Sequence, residues 1–103
     1  MTVRLYRTVS RPEYADLQAR GSYRPYGAAN GKYFWETLGA AQMFGERTAG
    51  HYHPAGYRIV GADVPAPVAA SFYRWARLDG VGPALFAPAD QLRWCTVVLL
   101  TEP

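Results

Sequence analysis

Val3-Arg4-Leu5-Tyr6-Arg7-Thr8-Val9-Ser10-Arg11-Pro12-Glu13 is the stretch on which the fold turns. Over residues 3–9 apolar and polar side chains alternate, the period of a half-buried strand. Val3, Leu5 and Arg7 fall on one face, and Arg4, Tyr6 and Thr8 on the other. The pattern then changes. Ser10 stands as the N-cap of a helix, Glu13 three residues on completes a capping box, and Pro12 lies in the first turn, where its missing N–H costs little. Tyr14, Leu17 and Gln18 share a side of this helix, and Gly21 supplies its stop.

Outward from there, Ser22-Tyr23-Arg24-Pro25-Tyr26 reads as a short extended piece, and Asn30-Gly31 as a turn. Lys32-Tyr33-Phe34-Trp35-Glu36 is aromatic and strand-like. Thr37 caps a second helix through about Arg47, with Leu38, Ala41 and Phe44 at helical spacing. Gly50 to Gly56 is a loop holding His51 and His53. Tyr57–Val64 is another strand, and Pro65-Ala66-Pro67-Val68 opens a short helix running to about Trp75. Asp79-Gly80-Val81-Gly82-Pro83 is a turn, Ala84–Ala87 a brief strand, and Leu92–Leu100, rich in β-branched residues, a strong one. The order β-α-β-β-α-β-α-β-β, with few short helices and strands gathered toward the end, predicts an α+β fold rather than a doubly wound parallel sheet. With no repeat or linker, residues 1–103 are expected to form one domain.

Composition limits the function classes. Half of the residues are hydrophobic and fifteen are aromatic, enough for a core without disulfides or structural metal. Cys95 is the only cysteine, so no internal disulfide forms, and its apolar neighbours predict a buried thiol. The formal charge is +3 and the pI about 9.2. The cations are arginines scattered singly, with Lys32 the only lysine. That pattern allows either an ordinary solvated surface or a positive cleft for a phosphate-bearing ligand. Met1-Thr2-Val3-Arg4-Leu5-Tyr6-Arg7 has no apolar core of a signal peptide. No run approaches the ~20 residues that span a bilayer. The expected setting is the cytoplasm, or a target-cell cytoplasm reached with a carrier, with no membrane partner.

Neither glycine-rich phosphate motif occurs. Ser10, Ser22 and Ser71 lack a nucleophile elbow. No metal cage is evident: His51 and His53 are two residues apart, with no third ligand nearby. These histidines are either surface residues or the acid and base of a ribonuclease-type reaction. A distributed constellation says more. Tyr6-Arg7 ends the first strand, Gly31–Thr37 is a glycine-led aromatic strand feeding a helix, and Asp90-Gln91 precedes the last strand. An arginine fork, an aromatic wall and a carboxylate or amide can together hold a dinucleotide. The acid or amide would support an oxocarbenium ion, as in glycosidic chemistry. The same aromatic residues also suit a core or a sheet surface.

Leu5-Tyr6-Arg7 on the first strand, the short helix ending at Gly21, Gly31-Lys32-Tyr33-Phe34 before an alanine-rich helix, and Leu78-Asp79-Gly80 before a final strand form a familiar series. The chain resembles small ADP-ribosyltransferase-like toxin domains, such as those at the C-termini of Rhs-type polymorphic toxins. The resemblance implies a compact split-sheet core with two packed sheets flanking an NAD cleft, and NAD as co-substrate. It implies that Arg7 orients NAD, that Tyr33 and Phe34 line the nicotinamide pocket, and that Thr37 stands for the second motif. The third motif of that class carries a glutamate. Here Asp90-Gln91 takes its place, so Gln91 and Glu36 are the candidate catalytic groups beside Arg7, with Tyr6 an added NAD contact. A protein or nucleic-acid target and a neutralising immunity protein are the implied partners. A non-enzymatic binding domain, the other reading of that departure, predicts an exposed aromatic patch.

Overall fold

Ser10 ends one element and starts the next. Its side chain accepts from the Glu13 N–H at 3.3 Å, its backbone is extended, and Pro12 sits in the first helical turn. Gly21, left-handed at φ 69°, donates its N–H back to Leu17 and closes the helix. This junction joins β1 (Thr2–Ser10) to α1 (Arg11–Arg20). The computed structural model describes residues 1–24, 30–50 and 55–100. The chain continues as β2 (Gly31–Trp35), α2 (Leu38–Thr48), β3 (Tyr57–Pro65), α3 (Ala66–Ser71), β4 (Tyr73–Leu78), β5 (Gly82–Pro88), a 3-10 helix (Ala89–Trp94) and β6 (Thr96–Leu99).

The fold is α+β. Its strands form a six-stranded sheet in the order β4-β5-β2-β1-β3-β6, with every neighbouring pair antiparallel. Residues of alternate parity feed two cores. Leu5, Val9, Phe34, Val60, Ala62 and Val64 pack beneath α1, α3 and the 3-10 helix. Trp35 and Ala84 pack on the other face against Ala40 and Ala41 of α2, with Tyr6, Phe44 and Ile59 beside them. Among the described residues no helix is long and apolar enough to cross a membrane.

The sheet is uneven at its centre. β1 and β3 are in register from Thr2↔Pro65 to Ser10↔Tyr57, whereas β1 and β2 meet at the single pair Tyr6↔Trp35. Where the resemblance implied two packed sheets, the strands form one sheet. It has two three-stranded halves, β4-β5-β2 and β1-β3-β6, joined at that pair. Arg7–Ser10 and Gly31–Phe34 form a fork there with no ladder between them.

Several elements depart from the sequence reading. The helix opening after Pro65 stops at Ser71, because Phe72 turns into the core, and Tyr73–Leu78 forms β4 instead of a helical continuation to Trp75. The Leu92–Leu100 run is not one strand: Leu92 and Cys95 are buried from a 3-10 turn, and pairing starts at Thr96. Of the extended piece after Gly21, Ser22 makes an isolated bridge to Thr96, and Pro25 and Tyr26 lie outside the described residues. Glu36 falls in the bend after β2 rather than on the strand.

Candidate active-site cleft

The fork is filled by charge. Arg7 lies on the same face of β1 as Leu5 and Val9, which directs its guanidinium toward the core side near α1. Its Nε donates to Glu13 Oε2 at 2.7 Å and its Nη2 to Oε1 at 3.0 Å, a two-point pair. Its Nη1 donates to the Tyr33 carbonyl at 3.1 Å, so a side chain satisfies main chain where the β1–β2 ladder has ended. On β2, Lys32 lies on the Phe34 face and is buried. Its Nζ donates to Glu13 Oε2 at 3.2 Å. Two cations from two strands thus share one buried carboxylate from α1.

Burial pushes the Glu13 carboxyl up, but the hydrogen bonds and charges of Arg7 and Lys32 outweigh it and hold it below its ordinary value. Burial, with the Arg7 charge, depresses Lys32 against the pull of Glu13. Buried ions of this kind persist only when paired and hydrogen-bonded. Glu13 therefore fixes Arg7 in place. Three of the five N–H groups of Arg7 are used, and two have no protein acceptor among the described residues.

A cavity of about 510 Å³ opens at this fork, within the usual range of ligand pockets, about 300–1,000 Å³. Arg7, Glu13, Thr8 and Ser10 line its β1–α1 side, and Tyr33, Trp35 and Phe44 form an aromatic wall. Leu78 and Asp79 close it from the β4–β5 hairpin. Thr8 is fixed by donating to the Ala41 carbonyl at 2.6 Å, and Trp35 by packing on Phe44 with ring centroids 5.3 Å apart. Asp79 heads the hairpin turn. Asp79 at φ 52° and Gly80 at φ 70° are both left-handed, as a type I′ turn requires, and Val81 N–H closes it on Leu78 at 2.9 Å. Asp79 is exposed and has no ion-pair partner among the described residues.

Arg7 and Tyr33 of the expected site come together in this cavity; the others do not line it. Phe34 is corrected from pocket wall to core: it is fully buried with its ring edge-on to Tyr23 at 5.1 Å. Tyr6 packs in the α2-side core. Thr37 is the α2 N-cap, accepting from Ala40 N–H at 3.1 Å. Glu36 is held by Arg74 at 2.7 and 3.3 Å. Gln91 sits half-buried on the 3-10 helix, its carbonyl facing the Cys95 thiol at 3.8 Å. His51 and His53 lie outside the described residues.

Sequence reasoning missed Glu13 and Asp79 as parts of the site, and held Lys32 and Trp35 only as members of the Gly31–Thr37 segment, without individual roles. Glu13 was taken up by its capping role, but its carboxylate turns to Arg7 and Lys32. A signal existed: Arg7 and Lys32 each interrupt a core-facing set of apolar residues, and a cation there demands a carboxylate. No protein-family model, no curated protein and no solved structure matches this chain.

Proposed function

We propose that the cleft binds NAD and that the protein is an ADP-ribosyltransferase-like domain that transfers ADP-ribose to a macromolecular target and releases nicotinamide. The observation that carries this reading is Arg7, which lines the cavity, braced by Glu13 and with two N–H groups left unbonded among the described residues. A preorganised guanidinium fork suits a pyrophosphate. Tyr33, exposed at the cavity, offers a ring face for a base or nicotinamide. The resemblance of the β1 and β2 segments to toxin transferases points the same way.

The acid is assigned to Asp79 in place of Gln91 and Glu36, because it is the cavity carboxylate not committed to a cation. In the transfer, the bond from ribose C1′ to the nicotinamide nitrogen breaks, and its electron pair leaves with nicotinamide. The Asp79 carboxylate stabilises the oxocarbenium charge that develops. A target nucleophile then bonds to C1′, and its proton passes to that carboxylate and on to water.

Incubation with labelled NAD, following nicotinamide release and label on macromolecules, tests the reading. Arg7→Lys keeps the charge but loses the fork, and turnover should fall on the order of 100-fold with the circular dichroism unchanged. Full turnover in that variant, or no NAD consumption by the wild type, rejects the assignment. One observation favours a second reading, a domain that binds without turnover: Tyr33, Tyr73 and Trp75 are exposed together.

A further inference from the structure

We propose that the uncovered part of the β4, β5 and β2 face, around Tyr33, Phe86, Tyr73 and Trp75, is a stacking platform for single-stranded nucleic acid that leads into the cleft. Register builds it. Tyr33 is opposite Phe86, and Phe86 opposite Tyr73, so three rings stand in one row across three strands. A second row runs Trp35, Ala84, Trp75. Residues directly opposite one another share a face. Tyr33 and Phe86 lie 5.0 Å apart between ring centroids, as do Tyr73 and Trp75. Both rows end in the cavity wall, at Tyr33 and Trp35. Trp35 and Ala84 of this second row are buried beneath α2, so Trp75 is its open ring.

The outer rings are not covered. Tyr73 is 64% exposed, Trp75 42% and Tyr33 41%. α2 lies over β1, β2 and β3 and reaches β5 at Gly82 and Ala84, at the far end from Phe86.

Charge selects the occupant. β4 reads Tyr73-Arg74-Trp75-Ala76-Arg77-Leu78, and neither β4 nor β5 holds an acidic residue; Arg74 lies opposite Leu85 on the other face and is paired with Glu36, which leaves Arg77 beside the rings. Arg77 has no carboxylate partner among the described residues, and the chain carries a net +3. Ring faces stack bases while Arg77 meets phosphate, the arrangement used for single strands. A duplex hides its base faces and gains nothing from the rings. The Tyr73–Phe86–Tyr33 row delivers the strand to the cavity that holds Arg7, so for what is done to the strand the inference rests on the reading above. Binding does not depend on it.

The test is fluorescence anisotropy with short labelled oligo-dT, oligo-U and a duplex, at low and moderate salt, on the whole chain. Either single strand should bind more tightly than the duplex, and the two arms decide between DNA and RNA. Tyr73→Ser and Trp75→Ser should each weaken binding on the order of 10-fold, whereas Tyr73→Phe keeps it. Arg77→Gln should flatten the salt slope by about 0.7. Neither ring lines the cavity, so NAD turnover should be unchanged in these variants. Equal binding by the Ser variants, equal duplex binding, or binding of an acidic peptide in place of both strands overturns the platform. Strand binding without any NAD turnover rejects the proposed transferase and leaves the platform standing; turnover without strand binding does the reverse.

Discussion

Arg7 and Glu13 meet across the β1–α1 junction in a two-point ion pair, with contacts of 2.7 and 3.0 Å. The six-residue separation is spanned because Ser10 ends the strand and caps the helix at once. That turn brings a first-turn carboxylate over the face where Arg7 emerges. Glu13→Gln removes the one carboxylate bonded to both Arg7 and Lys32. Removing one member of a buried ionic group costs about 3–5 kcal/mol, a large part of the total for a domain, about 5–15 kcal/mol. Urea unfolding should show that loss. A midpoint equal to wild type would mean that Glu13 does not hold the fork.

The same group sets the acid limit of stability. Burial pushes the Glu13 carboxyl up, but Arg7 and Lys32 hold it below its ordinary value. A carboxyl lowered in the folded state adds stability above its unfolded value, about 4.3, and loses it as the pH falls through the lower folded value. Stability should therefore decline in that acid window. The decline should be shallower in Glu13→Gln, where nothing titrates. Asp16 and Asp63 are also lowered, beside Arg20 and Arg24 and beside Arg4, but both are half-buried at the surface with exposed partners and are screened. Thermal melts from neutral to acid pH compare the two proteins, and parallel curves would count against this account.

Phe34 and Tyr33 are adjacent, but strand parity gives them opposite fates. Phe34→Ala empties a fully buried site against Tyr23 and should cost about 3–5 kcal/mol. Tyr33→Ala removes an exposed ring and should change stability by about 0.5 kcal/mol or less, while weakening ligand binding in the cleft. Melts together with titration by ADP-ribose separate the two effects. Loss of affinity in a folded Phe34→Leu with none in Tyr33→Ala would reverse the assignment of the wall.

Local chemistry made half of this legible. The strand, cap, proline and glycine of residues 3–21 each point to one backbone state, and the structure keeps them all. β4 was hidden because Pro67-Val68-Ala69-Ala70 continues as a helix would, and only the burial of Phe72 ends it. Thr96–Leu99 was overextended because apolar character alone does not separate a 3-10 turn that buries Leu92 from a strand. The cleft was half-visible. Arg7 and Tyr33 follow from the spread of arginine and aromatic segments and from the resemblance, but their meeting with Glu13, Lys32 and Asp79 depends on the single Tyr6↔Trp35 pair, a long-range register that no local pattern encodes.

Cys95 tests the closed side of the sheet. It is buried, and burial pushes its thiol up to about 11. The thiolate is the reactive form. A thiol reagent near pH 8 should modify the folded protein far more slowly than the urea-unfolded chain. Equal rates would show that the 3-10 helix opens freely from the core.

The assignment of the acid is the sharpest discriminator, because the three candidates sit in different environments. Glu36 is committed to Arg74, Gln91 carries no charge, and Asp79 faces the cavity from a turn at φ 52°. Replacement of Asp79 by alanine would mix two effects, since alanine resists the left-handed backbone. Asn tolerates it, so Asp79→Asn removes the charge and spares the hairpin. NAD turnover should then fall on the order of 100-fold with a melting curve close to wild type. Glu36→Gln and Gln91→Ala should stay near wild-type turnover. The opposite ranking, with Glu36→Gln inactive and Asp79→Asn active, would require the Arg74 pair to open and deliver Glu36 to the cleft, because a carboxylate held by a guanidinium has little charge left to stabilise an oxocarbenium ion.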